Sequence, residues 1–247
     1  MDTAIDRYLE AVREGLVRLQ ETQGPALRQA AEVITDAIVQ GRQVFSFGAS
    51  HSFILTEEMV YRTGGLMLVN PIYPHGMNLM VRPLTLTSQL ERVEGLGAEL
   101  LRSSPAREGD VLLLASTSGR NAVALDMALE ARKKGITTIG ITALEYSRQV
   151  QSRHSSGKRL FELTDLVIDT CTPLGDAAVS FEGFPQKSGP LSTVLGCAVV
   201  NALCCQVIQN LLNRGVTPPV FISANLDGGD EHNRKLMEQN RDRIHYL

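Results

Sequence analysis

An apolar run of five residues, Val111-Leu112-Leu113-Leu114-Ala115, breaks without a linker into Ser116-Thr117-Ser118-Gly119-Arg120-Asn121, and a helical pattern begins at Ala122. A run that is apolar at every position has no solvent face. It therefore reads as a strand covered on both sides, the environment of a parallel sheet. The same grammar occurs at Val44-Phe45-Ser46-Phe47, which runs into Gly48-Ala49-Ser50-His51-Ser52 and then a helix reaching about Thr63. Residues 66–69, 137–141 and 166–169 supply further short strands, with Gly64-Gly65 and Gly135 as punctuation between elements. Strand and helix alternate over short connections, which predicts an α/β chain: a three-layer α/β/α sandwich, flavodoxin-like, around a five-stranded and mainly parallel sheet.

Two helical patterns precede the first strand, at residues 3–21 and 26–40. Gln23-Gly24-Pro25 between them predicts a break, hence an N-terminal helical hairpin. Residues 1–41 are read as helices that pack against a second subunit, 42–215 as the main domain, and 216–247 as a polar tail that completes the site. Residues 190–213 form a long helix whose apolar stretch, Val194 to Leu212, is interrupted by Asn201, Gln206, Gln209 and Asn210 and so is not read as a membrane span. With 43% hydrophobic residues in 247, the chain can bury a core of its own. A net charge of −3 argues against a broad nucleic-acid surface. Three of the four cysteines, Cys197, Cys204 and Cys205, share one apolar run without metal-ligand spacing, and Cys171 stands apart; they read as reduced thiols. The chain opens on a charged amphipathic pattern rather than a signal peptide, so the expected location is the cytoplasm.

Ligands of open parallel sheets collect beyond the carboxyl ends of the strands. Two loops occupy that place, 48–52 and 116–121, and each opens a helix. Free backbone N–H groups, Ser and Thr hydroxyls and a helix N-terminus together suit an anion such as phosphate. Neither loop carries the Gly-x-Gly-x-x-Gly spacing of a dinucleotide site or the Lys-Ser/Thr of a nucleotide-binding loop, so a small phosphorylated ligand is expected rather than NAD or ATP, and no cofactor. Ser and Asn also begin helices for purely local reasons, as N-caps.

Gly48-Ala49-Ser50-His51-Ser52 and Ser116-Thr117-Ser118-Gly119-Arg120-Asn121, with the interval between them, resemble the two phosphate loops of SIS (sugar isomerase) domains over roughly residues 30–215. That family includes phosphoheptose isomerase, the isomerase half of glucosamine-6-phosphate synthase, and N-acetylmuramic acid 6-phosphate etherase. The Ser-x-Ser-Gly-Arg pattern is most similar to the etherase branch, as is Gln186-Lys187-Ser188-Gly189-Pro190 ahead of the long helix. The resemblance implies a hexose, hexosamine or heptose phosphate as ligand, with Gly48, Ser50, Ser52, Ser116, Thr117, Ser118 and Asn121 around the phosphate. It also implies a homodimer or homotetramer whose sites are shared between subunits. An aldose–ketose isomerase is the expected activity; a related lyase and a non-catalytic sugar-phosphate sensor stay open.

Isomerisation moves a proton between adjacent carbons and needs a carboxylate or His at the sugar. The candidates are Glu182, in a loop ahead of the long helix; Glu57 or Glu58, on the helix after the first loop; His51, inside that loop; and His232, in the polar tail, which in the family's manner would reach a neighbouring subunit's site. His75, Glu91, Arg92 and Glu94 are weaker candidates, for sugar contacts or for surface ion pairs. Lys187, near a helix start where the dipole disfavours a cation, is a candidate for holding the phosphate or an enediolate. The zinc-ligand spacing of the metal-using isomerases is absent, so no metal is expected.

Overall fold

The computed structural model describes residues 3–247. The chain begins with α1 (Ala4–Val39), capped by Thr3: the Asp6 N–H donates to Thr3 Oγ1 at 3.2 Å, while the Thr3 N–H donates to Asp6 Oδ2 at 2.9 Å. The expected hairpin is one continuous helix with Pro25 inside it. A mid-helix proline costs about 3 kcal/mol in isolation, and burial offsets that here. Leu19, Ala30, Ala31, Ile34, Ala37 and Ile38 form one buried stripe across the proline. The stripe packs on the sheet and on α7 (Ser192–Asn213). Gln23, beside the expected break, is held from outside: its Oε1 accepts from the Asp169 N–H at 3.0 Å.

The sheet runs β1 (Val44–Gly48), β2 (Val69–Pro71), β3 (Val111–Ala115), β4 (Thr137–Thr142) and β5 (Leu166–Asp169) in the spatial order β2-β1-β3-β4-β5, all parallel. Alternate residues of each strand enter opposite cores. Val44, Val111, Leu113, Ile139 and Ile168 face α1, α7 and α2 (Phe53–Met59). Phe45, Phe47, Leu112 and Leu114 face the layer built by α4 (Leu96–Arg102) and α5 (Ala122–Lys133). α3 (Thr85–Leu90) and α6 (Leu144–Gln149) are short connections. β2 lies further along the chain than the apolar run 66–69 suggested, because Leu66 bridges Val220 in antiparallel fashion and the Met67 N–H donates to Pro219 O at 2.8 Å. α4 and α5 approach so closely that a Cβ on Gly97 would sit 1.9 Å from Val123 O. Overpacking against backbone typically costs about 1–3 kcal/mol, so Gly97→Ala should lower stability by about 2 kcal/mol, read as a drop in the urea midpoint.

Residues 177–190 depart from expectation. They form an antiparallel ribbon, β6 (Ala177–Phe181) and β7 (Phe184–Pro190), rather than a loop opening the long helix. Glu182 and Gly183, the latter at φ 69°, make its tight turn. The ribbon lies along the start of α1, where Tyr8 Oη donates to Pro190 O at 3.1 Å and the Arg7 guanidinium covers the Phe181 ring. α7 therefore starts at Ser192, with Asp176 accepting from the Leu191 and Ser192 N–H groups at 2.9 and 2.7 Å. α7 has a mean hydropathy of 1.6 over its most apolar window, enough by length and composition to cross a bilayer, contrary to the reading of its polar interruptions as disqualifying. Here it packs between α1 and α2, with 44% of that window buried. The chain closes with α8 (Gly229–Gln239) and a tail that buries Ile244 against Met67 and Phe221.

Candidate functional site

The carboxyl ends of β1, β3 and β5 and the start of α7 meet at one cleft. A recess of about 10 Å³, room for about one water molecule, is lined by His51, Ser52, Ser116, Thr117, Thr170, Ser192 and Thr193 over an apolar floor of Leu55, Ala115 and Ile141. A neighbouring recess of about 20 Å³ shares Ser52, Ala115 and Ser116 and adds Glu91 and Asn121. Six hydroxyl-bearing residues and one histidine line the first recess, and no carboxylate does; two of those hydroxyls are already engaged, Ser192 Oγ donating to Asp176 Oδ2 at 2.7 Å and Thr170 Oγ1 sharing a hydrogen bond with Thr172 Oγ1 at 2.9 Å. The N-termini of α5 and α7 point their positive ends this way. The recesses are water-sized, so any larger ligand would rest in the open mouth above them.

Each loop is held by backbone bonds. In the first, a 3₁₀ turn over residues 50–52 folds back on the end of β1 so tightly that a Cβ on Gly48 would lie 2.3 Å from Ser52 O and 2.8 Å from Phe53 N. Ser50 adopts a left-handed φ of 51°, a conformation that non-glycine residues reach at a cost. It is anchored there by its N–H to Met77 O at 2.7 Å and by its hydroxyl to Glu91 Oε1. In the second loop the Leu160 N–H donates to Gly119 O at 2.8 Å, and Thr142 Oγ1 donates to Thr117 O at 3.1 Å. Gly119 has φ 58°, and a Cβ there would press on Ser147 Oγ at 2.9 Å.

Glu91 ties the two loops together. Its Oε1 accepts from Ser50 and its Oε2 from Asn121 Nδ2 at 2.7 Å. Its backbone carbonyl accepts from the Val123 N–H at 3.2 Å, in the first turn of α5. Asn121 has the extended backbone of an N-cap, yet its side chain makes no cap bond; it turns instead to Glu91 and to Arg153. Thus two residues expected at the phosphate, Ser50 and Asn121, spend a donor on a carboxylate in this state.

The remaining sequence-selected residues lie as follows. Ser52, Ser116, Thr117 and His51 line the first recess, and Gly48 lies beneath the turn that carries Ser52. Ser118 follows Thr117 in the loop and is half-buried. Glu58 is turned along α2 toward α7, accepting from Asn201 Nδ2 at 2.8 Å and pairing with Arg62 at 2.9 Å. Glu182 is exposed at the ribbon turn. Lys187 is exposed on β7, five residues before α7, so the expected conflict with a helix dipole does not arise. His232 is exposed on α8. None of these last four lines either recess. Burial pushes the thiols of Cys171, Cys197 and Cys204 up, away from reactive thiolate. Sequence reasoning missed Thr170, Ser192 and Thr193. The pair at 192–193 was visible as a polar start to an apolar helix; Thr170, one residue past β5, carried no local signal.

The SIS domain family model matches residues 7–143. A UPF0309 protein of Shouchella clausii is 46% identical over 243 residues, 98% of this chain and 99% of that one. Among solved structures, a phosphoheptose isomerase from Neisseria gonorrhoeae aligns with a TM-score of 0.56 at 14% identity, over 83% of this chain and 97% of that one. The Vibrio vulnificus NanR protein complexed with ManNAc-6P aligns with a TM-score of 0.52 at 15% identity, over 97% of this chain and 69% of that one. At those identities the two structures speak for the fold alone. The strand-end loops, the parallel sheet and the matched family model agree: this chain belongs to the SIS domain family and, within it, to the UPF0309 proteins.

Proposed function

We propose that the chain binds a phosphorylated sugar, a hexose, hexosamine or heptose phosphate, in this cleft and transfers a proton on it as an aldose–ketose isomerase. The observation that carries the reading is the convergence of Ser52, Ser116, Thr117 and Thr193 on a recess lined by no carboxylate, at the N-termini of two long helices. Ser52, Ser116, Thr117 and Ser118 hold the phosphate in this reading, with Thr193 opposite. Ser50 and Asn121 serve by holding Glu91. Glu91, at the edge of the second recess, is the candidate base that takes the proton from one sugar carbon and returns it to the next. His51, which lines the first recess, assists ring opening in this reading. Glu182, Lys187 and His232 are exposed and act, in this reading, only across a subunit boundary. A cytoplasmic location fits the free thiols.

The test is a thermal-shift panel of sugar phosphates and nucleotides, followed by proton exchange with D₂O for each ligand that binds. Stabilisation by sugar phosphates, with deuterium entering beside the carbonyl, is the expected result. Stabilisation by nucleotides alone would refute the proposal. Binding without exchange would favour the second reading, a sugar-phosphate sensor, which gains support from both Glu91 oxygens being engaged already.

The two-fold assembly proposed for the family also has a surface here. A groove of about 380 Å³ between α1 and α7 is lined by Leu16, Leu19, Leu27, Ala198, Val199 and Ala202. A second copy of this chain is the proposed occupant. Ala202→Glu, placing a charge in that groove, should convert a dimer to monomer by light scattering; a wild-type chain that is monomeric at every concentration would contradict the assignment.

A further inference from the structure

Beside the second loop stands a cluster of arginines that the hydroxyl recess does not use. Residues 150–159 lie against residues 116–121: the Arg153 N–H donates to Arg120 O at 2.9 Å, and Arg153 Nη1 donates to Asn121 Oδ1 at 3.2 Å. Arg92 follows Glu91 directly. The segment that presents Arg153 is clamped. The His154 side chain is 7% exposed, its Nε2 lies 3.1 Å from Asp126 Oδ1, and its Nδ1 lies 2.8 Å from Ser156 Oγ. The Ser155 N–H and hydroxyl both donate to Glu94 at 2.6 Å.

Among the described residues, Arg92, Arg120 and Arg153 form no ion pair, although twelve lysine– or arginine–carboxylate pairs form elsewhere in the chain. Arg120 Nε is buried without a hydrogen-bond partner. An unpaired donor on a permanent cation is costly to bury, and such orphans ask for a missing partner. Burial, then the charges of Arg120 and Arg92, hold Arg153 below the usual guanidinium range, with Glu91 opposing them. At Arg153 the charges of Arg120 and Arg92 outweigh that of Glu91, while Glu94 and Asp126 are engaged by Ser155 and His154.

We infer that Arg92, Arg120 and Arg153 bind a second anionic group, a carboxylate or a further phosphate, on the same sugar whose first phosphate occupies the hydroxyl recess. The inference rests on the proposed phosphosugar reading and narrows its ligand to sugar phosphates with a second anion. Asn121 joins the two places: its Nδ2 serves Glu91 at the recess edge and its Oδ1 serves Arg153. The arginine cluster and the recess edge thus share one side chain. Guanidinium suits either group because it offers paired donors in a plane.

The test is calorimetric titration of matched ligands: fructose 6-phosphate against fructose 1,6-bisphosphate, and glucose 6-phosphate against 6-phosphogluconate. The second anion should tighten binding by about tenfold or more, the scale of one charge-assisted contact. Arg120→Gln and Arg153→Gln should each erase most of that gain while leaving the singly phosphorylated ligands within about twofold, a split that loss of folding would not produce. Ser116→Ala should weaken both ligand classes alike. A gain that is absent, or that survives both arginine substitutions, overturns the inference and leaves the hydroxyl recess standing. An arginine-dependent gain with Ser116→Ala silent sustains the second-anion site and defeats the recess instead. If neither class binds, both fall.

Discussion

Gly48→Ala should weaken sugar-phosphate binding on the order of 100-fold, through one added methyl group. Gly48 is not a left-handed residue, so alanine meets no dihedral penalty there. The obstacle is space: the new Cβ would stand 2.3 Å from Ser52 O, 2.5 Å from Ser52 C and 2.8 Å from Phe53 N. All three are backbone atoms, so no side chain can swing away. The 3₁₀ turn must lift off the strand end, carrying Ser52 out of the recess it shares with Ser116 and Thr117. Hydrogen bonds to a charged group are worth about 1.5–3 kcal/mol each, so losing one or two accounts for the expected fall, at tenfold per about 1.4 kcal/mol. The stability cost should be of similar size, about 1–3 kcal/mol for overpacking. Titration calorimetry and a urea melt on the same sample separate the two. Affinity unchanged beside a lowered melt would mean that the first loop does not grip the ligand.

Glu91→Ala should reduce turnover by about 10²–10⁴-fold, the usual contribution of a positioned acid–base group. It also removes the acceptor shared by Ser50 and Asn121, and with it one of the two bonds that keep Ser50 left-handed. A stability loss of about 1–3 kcal/mol follows from leaving those donors unpaired. Glu91→Gln separates the two roles. Glutamine can still accept from Ser50, although its NH₂ then faces the Asn121 NH₂. If Glu91 takes the proton, the Gln variant is as inactive as the Ala variant while folding better. If Glu91 only ties the loops, the Gln variant recovers a good part of the rate and keeps the wild-type pH profile.

The sheet was legible because its central strand is apolar at every position and is followed at once by a polar turn, a pattern that β1 repeats with one serine. Val111–Ala115 announced both its own burial and the loop beyond it. The loops were legible for the same reason, since a strand end in a parallel sheet is where backbone donors are left free. What failed was long-range. Pro25 read as a break because its local cost is visible in sequence, while the burial that offsets it comes from α7 and β5 more than 140 residues on. The ribbon 177–190 was missed because its residues are mostly exposed and its second strand is broken up by glycine and proline, although Phe-Glu-Gly-Phe carried a two-residue turn signal. Glu91 stood in an unremarkable helical stretch. Only the fold shows that its carboxylate spans from residue 50 to residue 121. Arg153 likewise has no neighbour in sequence to explain it.

The central claim is that hydroxyls from separate strand ends meet at one phosphoryl group. A crystal structure with a bound sugar phosphate tests it most directly. The account predicts phosphoryl oxygens within hydrogen-bond distance of the Ser52 and Ser116 hydroxyls, with the amides of the 116–121 loop completing the shell. A phosphoryl group seated elsewhere, with those hydroxyls facing solvent, would contradict it.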